Sequence, residues 1–227
     1  MTTVAQRPPR KDTVTDKLVS GTFGQVMSLI SWFLLAIAFS ILLEWGGVAA
    51  GWWGMDHARD VLLTEVGYLS QLESNDLLGV HPAWLATAAL EKVNAAFTWM
   101  RIDRVLAFLE SRLSLAFYAL SSAIDIAYTL VIRLATILLA LPAFVLWGML
   151  GLVDGLVDRD IRKACGGIES SFVYHRMKAL IKPSIAISGG LYLTLPITIN
   201  PGLFFLIPQL IFFMAVYFFA AYFKKFI

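Results

Sequence analysis

The stretch LATILLALPAFVLWGMLGLV, residues 134–153, decides the fold of this chain because its twenty residues include no charged side chain. An α-helix rises about 1.5 Å per residue, so twenty residues extend about 30 Å, the thickness of the hydrocarbon core of a bilayer. We therefore predict a transmembrane helix here. Pro142 lies inside the run and removes one backbone donor, so a kink is expected at this position.

The composition also indicates a membrane protein. Hydrophobic residues make up 59% of the 227 residues and charged residues only 15%, against about 25% in soluble domains. Such a chain cannot cover itself with polar surface in water, so lipid must solvate much of it. The single cysteine, Cys165, excludes an intrachain disulfide and a cysteine-based metal cluster.

Three more apolar runs extend this pattern. The last two are joined by Asn200-Pro201-Gly202, a strong turn signal, so they predict a transmembrane helical hairpin. The fold class predicted is all-α, a polytopic membrane protein with about four transmembrane helices and a helical periplasmic insert. The expected segments are a disordered tail at 1–20, transmembrane helices at 21–44, 134–153, 183–199 and 203–223, a periplasmic or interfacial helical region at 45–133, and a charged cytoplasmic loop at 154–182.

The region before the second span is harder to assign. Leu62, Val66 and Leu69 recur at helical spacing, which predicts an amphipathic helix that lies on the membrane or packs on a neighbour. Residues 113–132 are apolar and adjoin 134–153 with only Arg133 between them, too short a connection for a turn. We expect one long helix whose first half lies outside the bilayer or at its surface. A re-entrant hairpin near Leu141 and Pro142 is the alternative.

The basic residues predict the topology. The loop 154–182 and the region 45–133 each carry six lysines and arginines, although the loop is about a third as long. Cytoplasmic segments are enriched in basic residues, so we place the loop and both termini in the cytoplasm.

No catalytic motif is found, and the chain is predicted not to be an enzyme and to use no cofactor or metal. G-x-S-x-G, Walker A and H-E-x-x-H motifs do not occur. The histidines His57, His81 and His175 are isolated in the sequence, and none has a partner at metal-ligand spacing.

Two features leave a transporter or channel open as the alternative function. Asp125 in lipid would suggest an ion path, although a hydrogen bond or ion pair with Tyr128 or Arg133 is the favoured interpretation. Gly189-Gly190 could break a helix as in transporters, although close helix packing is the commoner cause.

The densest group of polar residues lies between the second and third spans. Asp158 and Arg162 can pair at i,i+4, and Gly166-Gly167 is expected to end that helix. A solvated helical hairpin is the default interpretation and a docking surface for a cytoplasmic partner is the sharper one. The candidate docking residues are Asp154, Asp158, Arg159, Asp160, Arg162, Glu169, Tyr174, His175 and Arg176.

The same segment carries a family resemblance. The run GLVDGLVDRDIRKACGGIESSFVYHRMK, residues 151–178, resembles a signature of the membrane proteins of integrating conjugative elements, a family of unknown molecular function. The resemblance implies an accessory inner-membrane component of a type IV secretion-like DNA-transfer apparatus, encoded near the coupling ATPase. It implies other conjugation proteins as partners and no catalytic residues. Direct DNA contact is not expected, because four acidic residues offset the six basic ones in the loop.

Overall fold

The computed structural model describes residues 14–71, 82–166 and 171–223, and these ranges contain seven α-helices and no strand. The all-α class is thereby confirmed. Residues 1–13 of the predicted tail lie outside the described ranges. The helices are α1 (Val14–Ala49), α2 (His57–Gln71), α3 (Pro82–Trp99), α4 (Ile102–Arg112), α5 (Ser114–Ala164), α6 (Ser171–Thr194) and α7 (Pro201–Ala221).

Helix α5 is the central element of the fold. It is 51 residues long, so it extends about 76 Å, well over twice the hydrocarbon core of a bilayer. The two apolar runs on either side of Arg133 form one continuous helix, and this helix continues through Pro142. A hairpin at Leu141 and Pro142 is therefore wrong.

The second half of α5 forms a three-helix unit with α6 and α7. Arg133 of α5 donates hydrogen bonds to backbone carbonyls between α6 and α7, at Leu195 and Ile197. Further along α5, Gly155 lies against Tyr217 of α7. Hence α7 runs parallel to α5, and α6 runs antiparallel to both. Asn200 caps α7 by accepting a hydrogen bond from the Gly202 N–H at 3.0 Å, so Pro201 and Gly202 belong to the first turn of α7.

Two glycines allow α5 and α7 to approach closely. A Cβ atom on Gly151 would lie 2.7 Å from the Phe213 carbonyl oxygen, and one on Gly155 would lie 2.4 Å from the Tyr217 carbonyl oxygen. Both distances are too short for a carbon atom, so glycine is required at each position. The four-residue spacing is that of the G-x-x-x-G motif, which lets helix backbones meet in membranes.

The first half of α5 carries the remaining helices. Ala58 of α2 packs with Ile126 and Leu130 of α5, and Ile37 and Ile41 of α1 join the same cluster. A second cluster joins α2 and α3 to α5 and includes Leu69, Ala86, Ile132 and Leu139. The predicted amphipathic helix, α2, therefore packs mainly on α5, and so does α3.

Within the part of the chain that the structure describes, three helices are long and apolar enough to cross a membrane: Ile30–Ala49 within α1, α5 and α7. Helix α6 is not among them, and its first half carries Arg176, Lys178 and Lys182. By length and composition the structure supports three membrane-spanning helices where the sequence predicts about four.

Candidate functional site

A buried ion pair lies where α2, α5 and the connection between α6 and α7 meet. Arg133 Nε and Nη2 donate to Oε1 of Glu65 at 2.9 and 2.8 Å. The two residues are 2% and 1% exposed. A charge buried this deeply is costly unless it is paired and its other polar atoms are bonded, so the surrounding contacts decide whether the pair is satisfied.

Both partners are fully engaged. The Tyr192 hydroxyl of α6 donates to the second oxygen of Glu65, Oε2, at 2.9 Å. The remaining guanidinium donors of Arg133 reach the Leu195 and Ile197 carbonyls, the second at 2.9 Å. The network joins α2, α5 and α6 through side chains that are separated widely in the sequence. It is a structural connection, with each charge neutralised and each polar atom paired.

This pairing replaces the one that the sequence suggested. Arg133 bonds to Glu65 and not to Asp125, so an Asp125–Arg133 ion pair is wrong. The Tyr128 hydroxyl donates to the Asn94 side chain at 3.4 Å, which is a long contact at an exposed position. Asp125 itself is half-buried.

A second polar group joins α1 to α2. Nδ1 of His57 lies 2.8 Å from Oε2 of Glu44, and Glu44 is 3% exposed. The imidazole also stacks on Trp53, with ring centroids 4.5 Å apart. The Trp53 indole N–H in turn donates to the Glu44 carbonyl at 3.3 Å. His57 is thus an ordinary partnered histidine, while His81 lies outside the described residues and His175 is exposed.

Several of the predicted docking residues hold helix ends together. Arg162 bonds to Asp158 one turn earlier, as predicted, and its guanidinium lies 4.1 Å from the Tyr222 ring centroid. Arg159 lies 5.4 Å from the Phe223 ring. Such contacts between a cation and an aromatic face stabilise the packing of the end of α7 on α5.

Tyr174 also contributes to this packing. It stacks on Phe219 of α7, with centroids 5.1 Å apart, and contacts Phe223. Tyr174 therefore connects the first turn of α6 to the last turns of α7, and its ring is only half-exposed.

The other docking candidates within the described residues, four in number, are exposed, and Glu169 lies outside the described residues. Together with Cys165 in the turn after α5, the four form what we call the charged end of the bundle. Its exposed charged and polar members are Asp154, Asp160, His175 and Arg176.

The glycine pair of α6 has neither role proposed for it. The helix is continuous through Gly189 and Gly190, so the helix break that the sequence left open as an alternative is wrong. A Cβ on Gly190 would meet no atom within 4 Å, and one on Gly189 would make only ordinary contacts with Ile137 at 3.9 Å. Within the three described ranges, no group of three or more His, Cys, Asp or Glu residues could hold a metal ion.

Sequence reasoning missed the residues that organise the interior. Glu65 lies on the same α2 face as Leu62 and Leu69, whereas Val66, predicted on that face, is exposed. A lone carboxylate between apolar residues one helical turn away is a detectable signal for a buried pair. Gly151 and Gly155 were also readable as a G-x-x-x-G spacing.

Comparison with known proteins identifies the family of the chain. A family model described as IncC plasmid conjugative DNA transfer protein DtrJ-like matches residues 102–224, which is more than half of the chain and includes α4 to α7. No curated protein and no solved structure gives a significant match. The resemblance to conjugation proteins is confirmed at this level: the chain belongs to the DtrJ-like family of IncC plasmid conjugative DNA transfer proteins.

Proposed function

We propose that this protein is an accessory inner-membrane component of a type IV secretion-like conjugation apparatus, encoded by an integrating conjugative element. It anchors or scaffolds other conjugation proteins and carries out no catalytic step. Membership of the DtrJ-like family supports the link to DNA transfer. The matched region ends at the C-terminus of α7 and includes the whole charged end of the bundle.

Four membrane crossings are part of the proposal. Helix α6 begins beside the end of α5 and finishes at the level of Arg133, where the Leu195 and Ile197 carbonyls meet the guanidinium. If α5 crosses the bilayer between Arg133 and Cys165, α6 must cross beside it. The basic residues of α6, Arg176, Lys178 and Lys182, all lie in its first half, where the headgroups of the cytoplasmic leaflet attract them.

The observation that carries the docking role is the exposure of the charged end. Asp154, Asp160, His175 and Arg176 are exposed, and the ring contacts of His175 and Arg176 are with residues of their own helix, Tyr174 and Phe172. The four side chains are therefore accessible to a partner. Their partners would be other conjugation proteins, with the coupling ATPase as the first to test, and not DNA, because acidic and basic groups are mixed.

The test is the frequency of DNA transfer from a donor that lacks the gene, complemented by plasmid copies. The docking variant carries Asp154→Ala, Asp160→Ala and Arg176→Ala. The control carries Glu91→Ala, Glu110→Ala and Arg104→Ala, which removes the same number of exposed charges of each sign from α3 and α4. We expect the wild type and the control to restore transfer and the docking variant to fail at an equal membrane level. Unchanged transfer after deletion would contradict the role in the apparatus.

The alternative of a small transporter or channel loses part of its basis. It relied on Asp125 and on a break at Gly189 and Gly190, and α6 has no break there. Asp125→Asn still separates the two functions, since a transporter should lose flux whereas a scaffold should transfer DNA normally.

A further inference from the structure

A small cavity with a mainly apolar wall and a few polar groups lies at the junction of α1, α2, α5 and the connection that follows α6. Its volume is about 30 Å³. Apolar side chains such as Leu130 and Leu193 form part of the wall. The polar lining comes from Ser40, Glu44, Thr129 and Arg133, so the cavity lies between the two polar groups described above.

Glu44 has an unsatisfied oxygen beside this cavity. Its Oε2 bonds to His57, but Oε1 accepts no hydrogen bond from any residue in the described ranges although it is buried. Leaving a buried acceptor unpaired costs about 1–3 kcal/mol, and more when the group is charged. Native proteins satisfy such groups, so a partner beyond the described residues is expected.

We propose that the cavity is a binding site for one ordered water molecule, which donates a hydrogen bond to Oε1 of Glu44. A cavity needs about 10–15 Å³ of such volume to hold a water, and the water needs two to four polar partners. Thr129 Oγ1 donates to the Asp125 carbonyl at 2.9 Å, which leaves its lone pairs free to accept the second water hydrogen. The Ser40 hydroxyl donates to the water oxygen.

This water connects Glu44 of α1 to α5. Within the described residues, the Glu44 carboxylate itself makes no direct hydrogen bond to α5. Four of the five guanidinium N–H groups of Arg133 are used by Glu65 and by two backbone carbonyls, so Arg133 belongs mainly to the other polar group. The water therefore completes the Glu44–His57 pair and places it in one hydrogen-bonded junction with α5. Displacing the water should weaken the attachment of α1 and α2 to the rest of the molecule.

Radiolytic hydroxyl-radical labelling of the full-length protein in detergent detects the water directly, since radicals form at bound water and modify adjacent side chains. Leu130 lines the cavity and is 1% exposed, whereas Ile132 of the same helix does not line it and is 0% exposed. We expect Leu130 to be labelled several-fold faster than Ile132. Equal labelling of the two would overturn the proposal.

A double-mutant cycle provides an independent test that does not depend on labelling chemistry. Ala58→Val adds two methyl groups to the cavity wall. If water is bound, this change should lower the apparent Tm in the wild type and have little effect, or raise it, in a Glu44→Leu background, where no carboxylate needs a partner. If the cavity is dry, Ala58→Val should raise the apparent Tm in both backgrounds. If the added methyl groups simply overpack the site, Ala58→Val should lower the apparent Tm in both. Either of those results would overturn the proposal. A rise in Tm with Na⁺ that choline does not reproduce would also overturn it, because the occupant of the cavity would then be a cation.

Discussion

Arg133 and Glu65 are 68 positions apart in the sequence, yet two guanidinium nitrogens of Arg133 bond to one carboxylate oxygen of Glu65 in an interior that excludes solvent. The two residues lie at the point where the short helices of the first half of the chain meet the bundle of the second half. Because the pair also holds Tyr192 and two backbone carbonyls, it fixes the position of α2 relative to α5 and α6.

Removing one member of this pair should lower the stability of the protein far more than removing both. Arg133→Leu leaves the Glu65 carboxylate buried without a countercharge, which costs about 3–5 kcal/mol. At 2–4 °C per kcal/mol for a chain of this size, the apparent Tm should fall by roughly 10 °C. Glu65→Leu with Arg133→Leu should recover a large part of this loss. Thermal unfolding in detergent measures all three variants, and additive losses in the double variant would contradict the assignment.

Tyr192→Phe tests the third member of the network. The change deletes a hydroxyl that donates to Glu65 at 2.9 Å and leaves one carboxylate oxygen unpaired, so we expect a loss of about 1–3 kcal/mol. Tyr128→Phe is the matched control, because its hydroxyl makes only a 3.4 Å contact at an exposed position. The control should unfold within a degree or two of the wild type. Equal effects of the two substitutions would show that the Tyr192 hydroxyl contributes little.

Two glycine-to-alanine substitutions should change stability in opposite directions. Gly155→Ala places a carbon about 2.4 Å from the Tyr217 carbonyl oxygen, so α7 must move away, and overpacking of this kind costs about 1–3 kcal/mol. Gly190→Ala meets no atom within 4 Å and gains up to about 1 kcal/mol of helix propensity. Apparent Tm values in the same detergent decide the matter, and a stabilising Gly155→Ala would contradict the packing of α5 on α7.

The helical class was predictable because a charge-free run of about twenty residues most often forms a transmembrane helix. The interior pairing was not predictable, because the choice of a partner for Arg133 depends on how α2 packs, which no local pattern specifies. Asp125 was the nearer carboxylate in the sequence. On α2 the predicted apolar face was shifted by one residue, from Glu65 to Val66, and one residue rotates a helix face by about 100°.

At the charged end of the bundle, too, only the contacts within one helix could be predicted from the sequence. Asp158 and Arg162 were correctly paired, since i,i+4 contacts are local. The aromatic contacts of Arg159 and Arg162 with Phe223 and Tyr222 were not foreseen, because they require α7 to run parallel to α5. The family match independently places this end of the bundle inside the region shared by conjugation proteins.

The single cysteine offers a direct test of the four-span topology. Cys165 is exposed in the turn after α5, so a membrane-impermeant maleimide should label it in inside-out vesicles and not in intact spheroplasts. Gly54→Cys and Ile197→Cys, each in a Cys165→Ser background, place the thiol at exposed sites that the four-span proposal assigns to the other side of the membrane. Both should be labelled in spheroplasts. Labelling of Ile197→Cys only in inside-out vesicles would show that α6 does not cross, which leaves three spans and would contradict the packing of α6 along α5.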